Sequence, residues 1–227
     1  MDGAIWAILY DLGEEHRGDY LDWFDNVHIP EKLARPGYIS AGHYAVISKD
    51  GTPRSVGDGD SSEGTAGYIA VFGGTDTAVF LNPSPAQIKP NQSELTRTMM
   101  GYRSNSNSIV AAREWSFEIR PGVAAGAAEA VLITCCDVPG QDEAYGAWCV
   151  QALRPALSEM QGFRSMSKYL PTVGQMKHVT LSGFSSGDQG FAALDIAIAP
   201  DWGERSPVVL EHFPGSPYVA RRIWPAT

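Results

Sequence analysis

Cations are scarce in this chain. Its 227 residues include 17 lysines and arginines against 26 aspartates and glutamates, a formal net charge of −9, and no basic cluster forms anywhere along it. Phosphate backbones and anionic membrane surfaces need such a cluster, so neither nucleic acid nor a membrane is an expected partner. Cysteine is equally thin. Cys135, Cys136 and Cys149 make an odd number without metal-ligand spacing, which reads as reduced thiols in a cytoplasmic protein. Long apolar runs are missing too. The first covers residues 4–9 before Asp11 and two glutamates intervene, so neither a signal peptide nor a membrane span is expected.

Several chemistries lack their signatures. No HExxH, CxxC or clustered-carboxylate pattern occurs, and although His28 and Glu31 could ligate a metal weakly, no metal is expected. No glycine-rich loop links a strand to a helix, which leaves Rossmann and P-loop nucleotide sites unsupported. "GFSSG" at 183–187 fails the nucleophile-elbow pattern and reads as a polar loop.

The chain does have a globular composition, 44% hydrophobic and 19% charged, and a recurring order of elements. Strand patterns at 4–12, 38–48, 67–74 and 108–119 surround a helical pattern at 17–34, with a short helix expected around "SELTRTMMGY". The second half gives a strand at 128–138, a helix at 141–160, strands at 163–171 and 191–200, a short helix at 206–213 and a strand at 218–224. Both halves read β-α-β-β-α-β, the ferredoxin-like order. Residues repeat as well: Tyr20, Trp23, Pro30, Gly37, Ser40 and Tyr44 recur as Tyr145, Trp148, Pro155, Gly162, Ser165 and Tyr169, and "REW" (113–115) answers "RIW" (222–224). The fold class is therefore α+β, two tandem ferredoxin-like units at 1–120 and 128–227, with a linker in "RPGVAAGAAE" (120–129). Each unit leaves one aromatic-rich sheet face bare, which packing sheet to sheet would cover. The acidic, glycine-rich segment 48–65 reads as a loop, or as a lid over a site.

The repeat separates shared positions from divergent ones. Shared prolines, glycines and tryptophans are explained by architecture. His28 is not shared; Leu153 answers it, while Val150 and Ala156 answer Asp25 and Glu31. On a helix, His28 lies at the edge of the apolar stripe with Asp25 and Glu31 three residues to either side, near enough to orient or charge the ring. Two readings follow: a histidine satisfied by a carboxylate at a frayed helix end, or a catalytic group. His43 and Tyr44 point to opposite faces of a strand; Tyr44 recurs, whereas Lys168 answers His43. Trp6, Ile8 and Tyr10 share one face of the first strand, and Arg113, Trp115 and Phe117 share one of the fourth. Pointing inward they would wall an aromatic cavity with one cation, suited to a planar acidic or phenolic ligand. Pointing outward they would pack against helices.

"NVHIPEKLARPGYISAGHY" (26–44) resembles the EthD-like members of the dimeric α/β-barrel superfamily, in which a helix ending His-x-Pro runs through Pro-Gly into the second strand. The resemblance implies an α/β barrel, formed here within one chain where relatives pair two. It leaves a homo-oligomer open. It also implies cofactor-free cyclase, isomerase, lyase or monooxygenase chemistry on small aromatic or polyketide compounds, with some haem enzymes among the relatives. The expected function is a cofactor-independent acid/base enzyme of lyase, isomerase or cyclase type acting on a small aromatic or carbonyl compound. His28 would be the general base or acid, Asp25 or Glu31 would set its tautomer, and a tyrosine or Arg113 would hold oxyanion charge, with Trp6, Tyr10, His43, Tyr44 and Trp115 around the substrate. The alternatives are a non-catalytic small-molecule binder and a haem-binding or cofactor-free oxygenase relative.

Overall fold

A computed structural model describes residues 2–51, 53–54, 66–119, 128–198 and 210–225. The first half runs β1 (Ala4–Leu12), α1 (Arg17–Trp23), a π-helical turn (Phe24–His28), α2 (Ile29–Leu33), β2 (Tyr38–Val46) and β3 (Tyr68–Gly74). Three short helices follow, α3 (Ala78–Leu81), α4 (Pro85–Ile88) and α5 (Glu94–Gly101), then β4 (Arg103–Glu118). The second half runs β5 (Ala130–Asp137), α6 (Asp142–Trp148), a second π-helical turn (Cys149–Leu153), α7 (Arg154–Ser158), β6 (Phe163–Val173), β7 (His178–Phe184), α8 (Gly187–Ala197), β8 (Glu211–His212) and β9 (Tyr218–Trp224). Among the described residues no helix is long and apolar enough to cross a membrane.

In the first half β1 lies between β3 and β4, with β2 beyond β3. In the second, β5 lies between β7 and β9, with β6 beyond β7. The halves join through β4–β6 and β2–β9, all antiparallel, so eight strands close into one barrel. Strand alternation divides the side chains. Ile5, Ala7 and Leu9 of β1 enter the barrel interior with Tyr44, Ile69, Val131 and Tyr169. Ala4, Trp6, Ile8 and Tyr10 face outward under α1 and α2 with Tyr20, Trp23 and Phe24. Leu153, Leu157 and Trp148 form the matching outer layer of the second half. The interior is thus filled by both halves, and the outward reading holds for Trp6, Ile8 and Tyr10.

Two sequence expectations are corrected. Residues 191–197 are helix, not strand: the Ser186 hydroxyl caps α8 by accepting from the Gln189 amide at 3.5 Å, and Gly190, Ala193 and Ala197 are buried at helical spacing. The strand expected there is β7, in a stretch read as loop because its outward face carries the small polar residues Thr180 and Ser182 between the inward Val179 and Leu181. Gly183 and Phe184 of the "GFSSG" segment end that strand. The helix expected at 206–213 gives way at Glu211–His212 to strand; 206–209 lie outside the described residues, as do 120–127 of the expected linker and most of 48–65.

Both π-helical turns stop two residues before a proline, Pro30 and Pro155. Proline removes a backbone donor and crowds the preceding turn, and a widened turn absorbs both effects. Gly37 and Gly162 then turn the chain into β2 and β6 with φ of 87° and 83°. A Cβ at Gly37 would also lie 2.5 Å from Val79 Cγ2. Gly37→Ala and Gly162→Ala should each lower unfolding free energy by about 1–2 kcal/mol, read from urea titrations; a change near zero in either would show the left-handed turn is dispensable.

Candidate functional site

A cavity of about 330 Å³ opens on the outer face of the first half. Its floor is Trp6 and Ile8 of β1 with Arg103, Ser106 and Ser108 of β4. One wall is His28 and Lys32, and the other comes from α4, α5 and the residues between them, including Lys89, Gln92 and Met100. No carboxylate is among its described lining residues. His28 and Lys32 are one helical turn apart and so share a face; both are only 7% exposed. Trp6 is fixed by donating from Nε1 to Ser108 Oγ at 3.1 Å, and Lys32 Nζ sits 5.2 Å from the Trp6 ring centre.

The His28 ring packs against Trp23 and Phe24 at centroid distances of 4.8 and 5.4 Å. Burial, then the Lys32, Arg103 and Arg35 charges, push its pKa down to about 3. The ring is neutral at physiological pH. Its Nδ1 is buried without a hydrogen-bond partner, which leaves Nε2 to face the cavity, donating or accepting according to the tautomer. Burial lowers the Lys32 amine to about 8, with help from Arg35 and Arg103 and against the pull of Glu31. Glu31 itself is exposed.

Arg103 is anchored from below. Its Nε donates to the Tyr20 hydroxyl, and its guanidinium lies 4.3 Å from the Tyr10 ring centre and 4.9 Å from that of Phe24. Its Nη2 is buried without a partner. Beneath it, the Tyr10 hydroxyl and Asp25 bracket His43: Nε2 is 2.7 Å from Tyr10 Oη and Nδ1 is 2.6 Å from Asp25 Oδ1. Burial holds the His43 pKa down against the carboxylate's pull and raises that of Tyr10. Nδ1–H therefore donates to Asp25 and the phenol donates to Nε2. Asp25 orients His43, not His28.

The structure thus brings Trp6 and His28 to the cavity and sets Tyr10, His43 and Asp25 in the layer beneath. Tyr44 lies on the opposite face, inside the barrel, its hydroxyl buried and unpartnered. Arg113 lies across from Tyr169 where β4 pairs with β6, and Trp115 packs against the second half's outer layer. The cation near the cavity is Arg103 in place of Arg113. Sequence reading had missed it because β4 starts five residues earlier than its apolar pattern, in the polar run "RSNSNS". It had also missed Lys32, although the four-residue step from His28 was a usable signal. In the second half, Leu153 and Leu157 take the places of His28 and Lys32, both buried in the apolar layer. Lys168, answering His43, pairs with Glu114.

No family model matches the sequence, and no curated protein does. Solved structures do share the fold. A dye-decolorizing peroxidase from Bacteroides thetaiotaomicron superposes with a TM-score of 0.61 at 9% identity, covering 98% of this chain and 93% of that one. An anthrone oxidase-like protein gives 0.58 at 12%, covering 97% and 90%. A heme-binding protein from Thermus thermophilus gives 0.55 at 13%, covering 98% and 92%. The chain shares the α+β-barrel fold of these structures, closed here within one polypeptide. Among the described residues, neither His28 nor His43 is set up to ligate a haem. A ligating imidazole normally donates its second nitrogen to an acceptor, whereas His28 Nδ1 has none, and both nitrogens of His43 are taken.

Proposed function

We propose that this protein is a cofactor-independent acid/base enzyme acting on a small aromatic or carbonyl compound, on a barrel of two fused ferredoxin-like units of the EthD-like kind. The matching strand orders, the paired π-helical turns before Pro30 and Pro155 and the shared glycine turns support the tandem reading. One observation carries the activity. The cavity gathers a neutral imidazole, the Arg103 guanidinium and a lysine whose pKa is lowered to about 8, with no carboxylate among its described lining residues.

Such a site favours an oxyanion. Uncharged Lys32 takes a proton from an acidic C–H or O–H, and the released electron pair moves onto the substrate oxygen. The Arg103 guanidinium and His28 Nε2–H then hold that oxygen, with the newly formed Lys32 ammonium beside it. A neutral imidazole is the better partner here, because a third fixed cation would be costly next to Arg103 and Lys32. Trp6 and Met100 supply the flat apolar walls.

Anthrone, the compound named for one structural neighbour, makes a suitable probe, since losing its benzylic proton gives an aromatic oxyanion. In anaerobic D₂O the protein should speed exchange of that proton, followed by NMR. Because Lys32 must be unprotonated, kcat/KM should climb about tenfold per pH unit up to about 8 and then level, with no inflection near 6.5. Exchange no faster than in buffer, with tight anthrone binding, would leave a binding protein.

A further inference from the structure

We propose that Lys32 is an attachment point for aldehydes and ketones: its Nζ adds to a carbonyl carbon in the cavity and, with loss of water, holds the ligand as an imine. The proposal shares the cavity with the proton-transfer reading but needs only an amine that is open to the cavity and makes no ion pair among the described residues.

The chain has five lysines, at 32, 49, 89, 168 and 177. Lys168 is buried and its amine is tied to Glu114; Lys177 is paired with Asp142. Lys49 and Lys89 are exposed, Lys89 as a lining residue of the same cavity. Lys32 combines 7% exposure with a place on the cavity wall, over the Trp6 ring and near Arg103. Desolvation beside another cation is the setting that leaves a lysine amine uncharged and nucleophilic. The fall of its pKa to about 8 agrees.

The step balances without a further reagent. The Nζ lone pair forms the C–N bond while the carbonyl π pair moves to oxygen, and a proton passes through solvent from the nitrogen to that oxygen, giving a neutral carbinolamine. A proton from solvent then lets the hydroxyl leave as water as the freed nitrogen lone pair closes the C=N bond. Nothing is oxidised or reduced. The protonated imine keeps the positive charge that Lys32 had as an ammonium. The cavity selects the ligand class: a flat, largely apolar aldehyde or ketone bearing a phenolic or anionic oxygen for the Arg103 guanidinium.

The test is reductive trapping. The full-length protein would be incubated at pH 7 with 4-hydroxybenzaldehyde and sodium cyanoborohydride, and labelled lysines located by peptide mass mapping. Lys32 should be labelled at least about tenfold faster than Lys49, Lys89 or Lys177. Excess 4-hydroxybenzoate, which has no reactive carbonyl, should protect it. Lys32→Arg, which keeps the charge, should lose that label alone. Labelling that follows exposure, with Lys32 last, overturns the proposal. Anthrone exchange without a Lys32 adduct also overturns it and leaves the proton-transfer reading standing. An adduct at Lys32 in protein that does not exchange anthrone supports the imine and ends that reading.

Discussion

Replacing His28 by leucine should cut kcat for oxyanion formation by about 10²–10³, the usual cost of deleting one oxyanion donor, without unfolding the protein. Leu153 occupies the corresponding place in the second half, so the helix and its π-helical turn accept that side chain. The same change should strengthen the protein in acid. A free histidine titrates near 6.5, whereas His28 holds a pKa of about 3. The unfolded chain therefore binds a proton that the folded chain refuses, and folded stability falls as pH drops from 6.5 towards 3. At pH 4 that loss amounts to about 3 kcal/mol. Urea titrations at pH 7 and pH 4 should show a smaller difference between the two pH values for His28→Leu than for the unmodified chain. An unchanged difference together with unchanged turnover would place His28 outside both roles.

Lys32→Leu should act in the same directions, with the stability gain already full at pH 7. The residue answering Lys32 is Leu157, fully buried. Held at about 8 against an ordinary 10.5, the Lys32 amine costs the folded state about 3 kcal/mol at pH 7, because the unfolded chain protonates more readily. Leucine removes that cost, and a rise in melting temperature of roughly 6–12 °C follows for a chain of this size. The advantage should shrink as pH rises through 8 and vanish near 10.5, since the unmodified chain then loses the penalty itself. Proton exchange should fall to the buffer rate because its acceptor is gone. Stability gained where activity is lost marks a side chain kept for chemistry. Calorimetry at pH 7 and 10 checks the first part; equal melting temperatures at pH 7 would show that the ammonium is well solvated in place.

The strands nearest the N-terminus and the helix at 17–33 were legible because their periodicities are long and uninterrupted. The cavity was not. Trp6 and Tyr10 could be given a common face, but which way that face pointed depended on β1 lying between β3 and β4, a long-range pairing that no local pattern carries. Asp25 sits three residues from His28 and was expected beside it; the π-helical turn changes the phase of the helix there, and the carboxylate meets His43 instead. Arg103 was hidden because polar residues at the start of β4 conceal a strand. In the second half, Thr180 and Ser182 disguised β7, and the alternating apolar residues of α8 imitated the strand that was missing.

The closure of β2 onto β9 has a consequence for synthesis. A ribosome releases Val46 long before Tyr218, roughly 9–34 s earlier at ordinary elongation rates. From the completion of β4 until β6 and β9 emerge, the nascent first half carries two unsatisfied β edges, the outer side of β2 and the long β4, each an invitation to any strand of matching pattern. The second half of a neighbouring nascent chain matches as well as its own. Widely spaced ribosomes therefore favour the self-closed barrel, while a crowded polysome favours exchange of halves between chains, giving a swapped pair with the same strand contacts.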